Sequence, residues 1–127
     1  MPRVASFDHL LKSYDVSDLL DDIASADPPA YLRRCFAEGY STPILSFARV
    51  QQLGLCAMVL DSITNDRDYE MLEPELIADW RIHYGHACTQ VKGAAVLALR
   101  RAQDAFKAQE PDAVAELQEL ERRLAPA

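Results

Sequence analysis

The sequence predicts an all-α fold: a compact helical bundle of about five helices with two long central ones. Three observations predict it. Only four glycines occur in 127 residues, most of the seven prolines stand at segment boundaries, and apolar side chains recur at steps of three and four through two long stretches. A chain of this length buries roughly two thirds of the surface its unfolded form exposes, so one core suffices. The hydrophobic fraction of 50% against 26% charged residues is that of a folded globular chain rather than a disordered one. Residues 1–127 are therefore expected to form a single domain, with an acidic N-terminal segment of short helices over 1–26 and the main bundle over 27–127.

Taken in order, the first segment offers Ser6 as the cap of a short turn. Ser17 is the expected cap of a small helix from Asp18 to about Ser25. Neither piece is long enough to hold a helix without packing on the rest. Asp27-Pro28 is a cap followed by proline at the first helical position, where the missing N–H costs nothing. The helix it opens is expected to stop at Glu38-Gly39, with glycine taking the left-handed position beyond the end.

Thr42-Pro43 repeats the device and is expected to open the first long helix, Pro43 to Thr64. Its apolar residues cover most of the circumference, which places it in the middle of the bundle. Pro74 opens the second, to about Ala108, with Leu72 and Ile77 as a hydrophobic staple and Glu75 and Asp79 facing the positive end of the dipole. This helix is one-sided, with Ile77, Trp80, Tyr84, Ala87, Val91, Ala94, Ala98, Ala102 and Ala105 on one stripe. Unbroken, it would reach about 50 Å, longer than a small bundle needs. It is expected either to kink near Gly85 or Gly93 or to run past the core and pair with another chain. Pro111 opens the last helix, whose seam of Val114, Leu117, Leu120 and Leu124 either folds back on the bundle or zips to a partner.

Charge is unevenly spread within a net of -7. Residues 1–32 carry six Asp against Arg3 and Lys12, and residues 61–79 carry seven acids against Arg67. Residues 80–109 invert the sign, with Arg81, Lys92, Arg100, Arg101 and Lys107 against Asp104. So acidic a chain is a poor general binder of nucleic acid, whose phosphates supply most of that affinity. The two acidic segments instead nominate a surface for a partner protein with a basic face: Asp18, Asp21 and Asp22 from the first, and Asp61, Asp66, Asp68, Glu70, Glu73, Glu75 and Asp79 from the second. Solubility and favourable first-turn positions account for the same acids without a partner.

The chemistry-bearing residues are sparse. Asp79, His83, His86 and Gln90 fall on one helical stripe, about 100° from Trp80 and Tyr84. Asp79, His83 and His86 would be the ligands of an alternative metal-binding reading, with Trp80 and Tyr84 lining a pocket. Further ligands would have to come from another helix, and the Glu-x-x-His pairs of di-iron bundles are absent. The plainer reading is a helix flank on which Asp79 hydrogen-bonds His83.

Cys35, Cys56 and Cys88 are odd in number and widely spaced, and are expected to be buried reduced thiols. No glycine-framed serine or phosphate loop occurs, and Cys88 diverges from His83 and His86 around a helix, so no catalytic site and no cofactor are expected. A helix-turn-helix reading of Tyr31 to Phe47 fails because the second helix begins Pro43, Ile44, Leu45, where a recognition helix needs polar or basic side chains. The N-terminus carries charges too early for a secretory signal, and the apolar run Ile44 to Ile63 is interrupted by Arg49, Gln51, Gln52 and Asp61. A cytoplasmic chain with no membrane partner is expected. The leading functional expectation is a non-catalytic interaction module, such as an adaptor, chaperone or inhibitor, with a homo-oligomer through the long and last helices compatible with it.

Overall fold

The computed structural model describes residues 7–125, and every regular element among them is helical. Six helices follow in order: α1 Val16–Ser25, α2 Pro28–Ser41, α3 Phe47–Asn65, α4 Pro74–Thr89, α5 Lys92–Phe106 and α6 Pro111–Leu124. The expected Ser6 cap lies outside the described residues. None of the described helices is long and apolar enough to cross a membrane.

Helix α3 is the centre, as its all-round apolar surface requires. Every residue from Leu53 to Ile63 is buried, and α2, α4, α5 and α6 all pack against it. Its start differs from the expected one. Ser46 is the cap, its hydroxyl accepting the Arg49 N–H at 3.2 Å, while Pro43 stands outside any helix. Thr42 is extended (φ -63°, ψ 136°), as a residue before proline is, and this ends α2. The same conformation serves as a helix cap at Asp27 before Pro28, so the later start of α3 is owed to Ser46, which supplies the cap four residues on.

Helix α2 correspondingly runs past Gly39 to Ser41, and Gly39 is an ordinary helical residue. Its use is steric. A Cβ there would stand 2.6 Å from Leu53 Cδ2, so the missing side chain lets α2 lie close on α3. Gly54 does the same on another face of α3, where the tip of Leu10 occupies the space a Cβ would need. That contact seats the turn at residues 8–13 against the central helix. Asp15, not Ser17, caps α1, accepting the Asp18 N–H at 3.1 Å.

The expected second long helix is two helices. The break falls at Gln90 and Val91, between the two glycines that were its expected sites, and this raises the count from about five to six. Both residues keep right-handed helical dihedrals, and their N–H groups bond three residues back, Gln90 to Ala87 at 3.2 Å and Val91 to Cys88 at 2.9 Å. The turn is therefore tightened rather than opened. Gly85 and Gly93 lie inside α4 and α5 with open space beside them, so neither is needed for a bend.

Past the break, α5 packs on α2 and α6, and the seam Leu117, Leu120, Leu124 of α6 is buried within the same chain. That seam is thus unavailable as a zipper. Val91, Ala98 and Ala102 of the expected stripe are buried, with Ala95 and Leu99 beside them, while Ala105 near the end of α5 is exposed.

Two arginines of α6 converge on Glu119, which accepts from Arg122 and, at 2.8 Å, from Arg123 Nε. The hydrogen bond from Arg122, and then the one from Arg123, holds its carboxyl below the usual carboxylate range. A depressed folded value stabilises the native state above the unfolded pKa, and that contribution is lost as pH falls through the folded value. Thermal melts over an acid series are expected to show Glu119→Gln less stable than the parent near neutrality, with the difference shrinking on acidification. A difference that stays constant with pH would contradict this.

Candidate functional site

The end of α3 organises the region where the acidic run lies. Asp61, nominated as a surface acid, is 0% exposed, which removes it from any partner surface. Its position on an otherwise apolar turn forces it inward, and a buried carboxylate has to be paired. Three donors meet it: Arg67 Nε at 2.7 Å and the Tyr69 hydroxyl at 2.5 Å on Oδ2, and Asn65 Nδ2 at 2.6 Å on Oδ1. Tyr69 in turn accepts from Arg123 Nη1 at 3.0 Å, and Asn65 Oδ1 accepts from Lys92 Nζ at 2.8 Å. The carboxylate therefore links α3, the 66–73 connection, α5 and α6. Burial, reinforced by the bond to Asp61, pushes the Tyr69 hydroxyl well above its ordinary value.

Asp66 closes α3 in the left-handed conformation at φ 56°, one that Asp tolerates better than most residues. Arg81 of α4 reaches back across it. Its Nη2 donates to the Ser62 carbonyl at 2.8 Å and its Nη1 pairs with Asp66 at 2.8 Å, a cation at a helix C-terminus. Arg81 Nε is buried without a hydrogen-bond partner. Between the connection and α4 lies a cleft of ≈ 510 Å³. Leu72, Pro74, Ile77 and Ala78 give it an apolar wall, Asp68 and Glu70 bring carboxylates, and Ser62, Tyr69 and Arg81 complete it.

The remaining acids of the run are exposed. Asp79 contacts His83 Nε2 at 3.3 Å, the flank contact expected from the spacing. Asp68, Glu70, Glu73 and Glu75 make no ion pair among the described residues. Four of the five basic residues that follow are by contrast engaged at short range. Arg81 and Lys92 hold the end of α3, Arg100 pairs with Glu121 at 2.8 Å, and Arg101 donates to the Gly39 carbonyl at 2.7 Å.

The other nominated acids stand elsewhere. Asp18 and Asp22 line a groove of ≈ 450 Å³ with Tyr14, Arg49 and Gln52, and Asp21 is exposed on the same helix. This groove faces the first half of α3, whereas the cleft faces its end at Ser62. The helical rise from Arg49 to Ser62 is ~20 Å, about two Debye lengths at physiological salt. The two acid groups thus form separate patches rather than one continuous field.

The histidine stripe gathers little. His83 and His86 are exposed, Trp80 is buried in the core, and Tyr84 is half-buried. Among the described residues no group of three or more His, Cys, Asp or Glu side chains is placed to hold a metal ion. Tyr69 and Arg123 are not marked by the sequence as part of this region, and Arg81 is marked there only as a cation of the stretch that follows. The signal that pointed to them was Asp61 itself, a charge inside an apolar run that had to recruit partners.

Removing the carboxylate with Asp61→Ala strands Arg67, Tyr69 and Asn65 together and is expected to cost about 3 kcal/mol of stability by denaturant titration. Tyr69→Phe removes one donor and is expected to cost about 1 kcal/mol. Equal, small losses from both would show that the clasp does not hold the connection. No protein-family model, curated protein or solved structure matches the chain.

Proposed function

We propose that the chain is a non-catalytic interaction module that takes a basic segment of another protein into the cleft between residues 66–73 and α4. The single observation that carries this reading is the composition of the cleft. An apolar wall of Leu72, Pro74, Ile77 and Ala78 lies beside Asp68 and Glu70. Exposed Glu73 and Glu75 stand next in the chain. Apolar side chains of a partner would gain by leaving water against that wall, and lysine or arginine at their edges would meet free carboxylates. The cleft is also anchored: Tyr69 and Arg81 fix its two sides to the end of α3 through the bonds of Asp61 and the Ser62 carbonyl. A preformed site loses less entropy on binding than one that must first be ordered.

The carboxylates steer encounter and set specificity, while the apolar wall supplies most of the affinity. Binding is therefore expected to weaken with salt, without being abolished, because surface charges are screened and buried apolar contact is not. The alternative with a metal on α4 rests on Asp79 and His83 alone as neighbours.

Affinity purification from the native cell, followed by mass spectrometry, tests the proposal. The parent chain is expected to retain a partner that a triple variant, Asp68→Lys, Glu70→Lys and Glu73→Lys, loses at unchanged thermal stability. Retention of the same proteins by both chains, or of none by either, would refute the cleft as the docking site. For the metal alternative, zinc added to the metal-free protein is expected to leave the Tm unchanged. A rise that His83→Ala and His86→Ala abolish would reinstate that alternative.

A further inference from the structure

Cys35 of α2 and Cys56 of α3 meet inside the bundle, the Cys56 thiol donating to Cys35 Sγ at 3.5 Å. Packing dictates the meeting. Helices α2 and α3 run antiparallel across the 42–46 connection, and the close approach of Gly39 to Leu53 lies one turn from the thiol pair. A larger residue at Gly39 would push the helices apart at this level. Both cysteines are free, as is Cys88, which lies apart from them in α4.

The two sulfurs are not equivalent. Cys35 is the outer one, 4% exposed against 0% for Cys56. Accepting the Cys56 hydrogen bond, together with the nearby Arg49 and Arg34 charges, holds the Cys35 thiol below the ordinary value, while Cys56 is raised by that bond and by burial. Tyr14 and Arg49, both lining the α1/α3 groove, stand close enough to interact electrostatically with the pair. Cys88, by contrast, is pushed up to about 11 by burial.

We propose that Cys35 and Cys56 are a redox-modification site that hydrogen peroxide closes into an intramolecular disulfide linking α2 to α3. The Cys35 thiolate attacks one peroxide oxygen, the O–O bond breaks, and the departing oxygen takes up a proton to leave as water, giving a sulfenic acid on Cys35. Cys56 sulfur then attacks Cys35 Sγ. The S–S bond forms, the S–O bond breaks, and the hydroxyl leaves as a second water with the proton of Cys56. Two thiols lose two electrons in total, and the peroxide is reduced to two waters. The sulfurs have to close by ~1.5 Å, a movement within reach of side-chain rotation and a small helix shift. Cys35 is the attacking residue because it is the less deeply buried of the two and the one whose thiol is held below its ordinary value.

The test exposes the folded parent chain to hydrogen peroxide, then unfolds it and counts alkylatable thiols. The count is expected to fall from three to one, with the loss of two hydrogens in the intact mass, a Cys35–Cys56 linked peptide on digestion, and full reversal by dithiothreitol. The oxidised chain is expected to melt at a higher temperature than the reduced one, because the link constrains the unfolded state. Cys88→Ser is expected to behave like the parent, and Cys35→Ser to form no intramolecular link. Retention of all three thiols at a dose that fully oxidises glutathione would overturn the proposal. So would linkage through Cys88, linkage between chains, or irreversible addition of oxygen to Cys35 without a link.

Discussion

The carboxylate of Asp61 is the constraint around which the second half of the chain is arranged. Among the described residues it is the sole buried charged side chain; the other buried polar ones are Gln51 and Ser62. It lies on the helix that every other long element touches. A charge in that position is tolerated only with donors on both oxygens, and the chain supplies them from the next turn, from the connection beyond and, through Tyr69 and Asn65, from α5 and α6. Apolar packing alone would let the 66–73 connection slide over the end of α3. Directional bonds fix its register, and the cleft inherits that definition.

The class of fold was legible from the sequence because the devices that announce helices are local. Asp27-Pro28, Pro74 and Pro111 all stand at helix starts, and the all-round apolar surface of α3 placed it at the centre. The differences arose where a local signal has two readings. Thr42-Pro43 can open a helix or end the previous one, and the decision came from Ser46 offering a better cap four residues later. Gly39 can end a helix or let two helices touch, and Leu53 on α3 decided it. The break at 90–91 contains no glycine or proline itself, although it falls two residues before Gly93, one of the two glycines near which a kink was expected. Past it, α5 lies on both α2 and α6.

The candidate site was legible in part for the same reason. A run of acids is visible in one dimension, and most of it proved exposed. Which acid turns inward depends on the helical phase of Asp61 relative to the core, and which cations reach the acids depends on the bundle. The Cys35–Cys56 contact lay further from view still, since a spacing of twenty-one residues says nothing until two helices are laid antiparallel.

The inward engagement of the cations has a consequence for the molecule as seen from a distance. Arg81, Lys92, Arg101 and Arg123 are bonded to carbonyls, amides and hydroxyls of the chain's own framework, while Asp68, Glu70, Glu73 and Glu75 stand outside. Their charges sit deeper than those of the acids and are partly shielded by neighbouring structure. An approaching macromolecule thus meets a potential more negative near residues 66–79 than the adjoining acidic and basic stretches of the primary sequence suggest. Such a field slows encounters between copies of the chain and with polyanions, and speeds those with polycations, over a reach of ~8 Å at physiological salt. The charge of this face thus biases collisions before any contact is made.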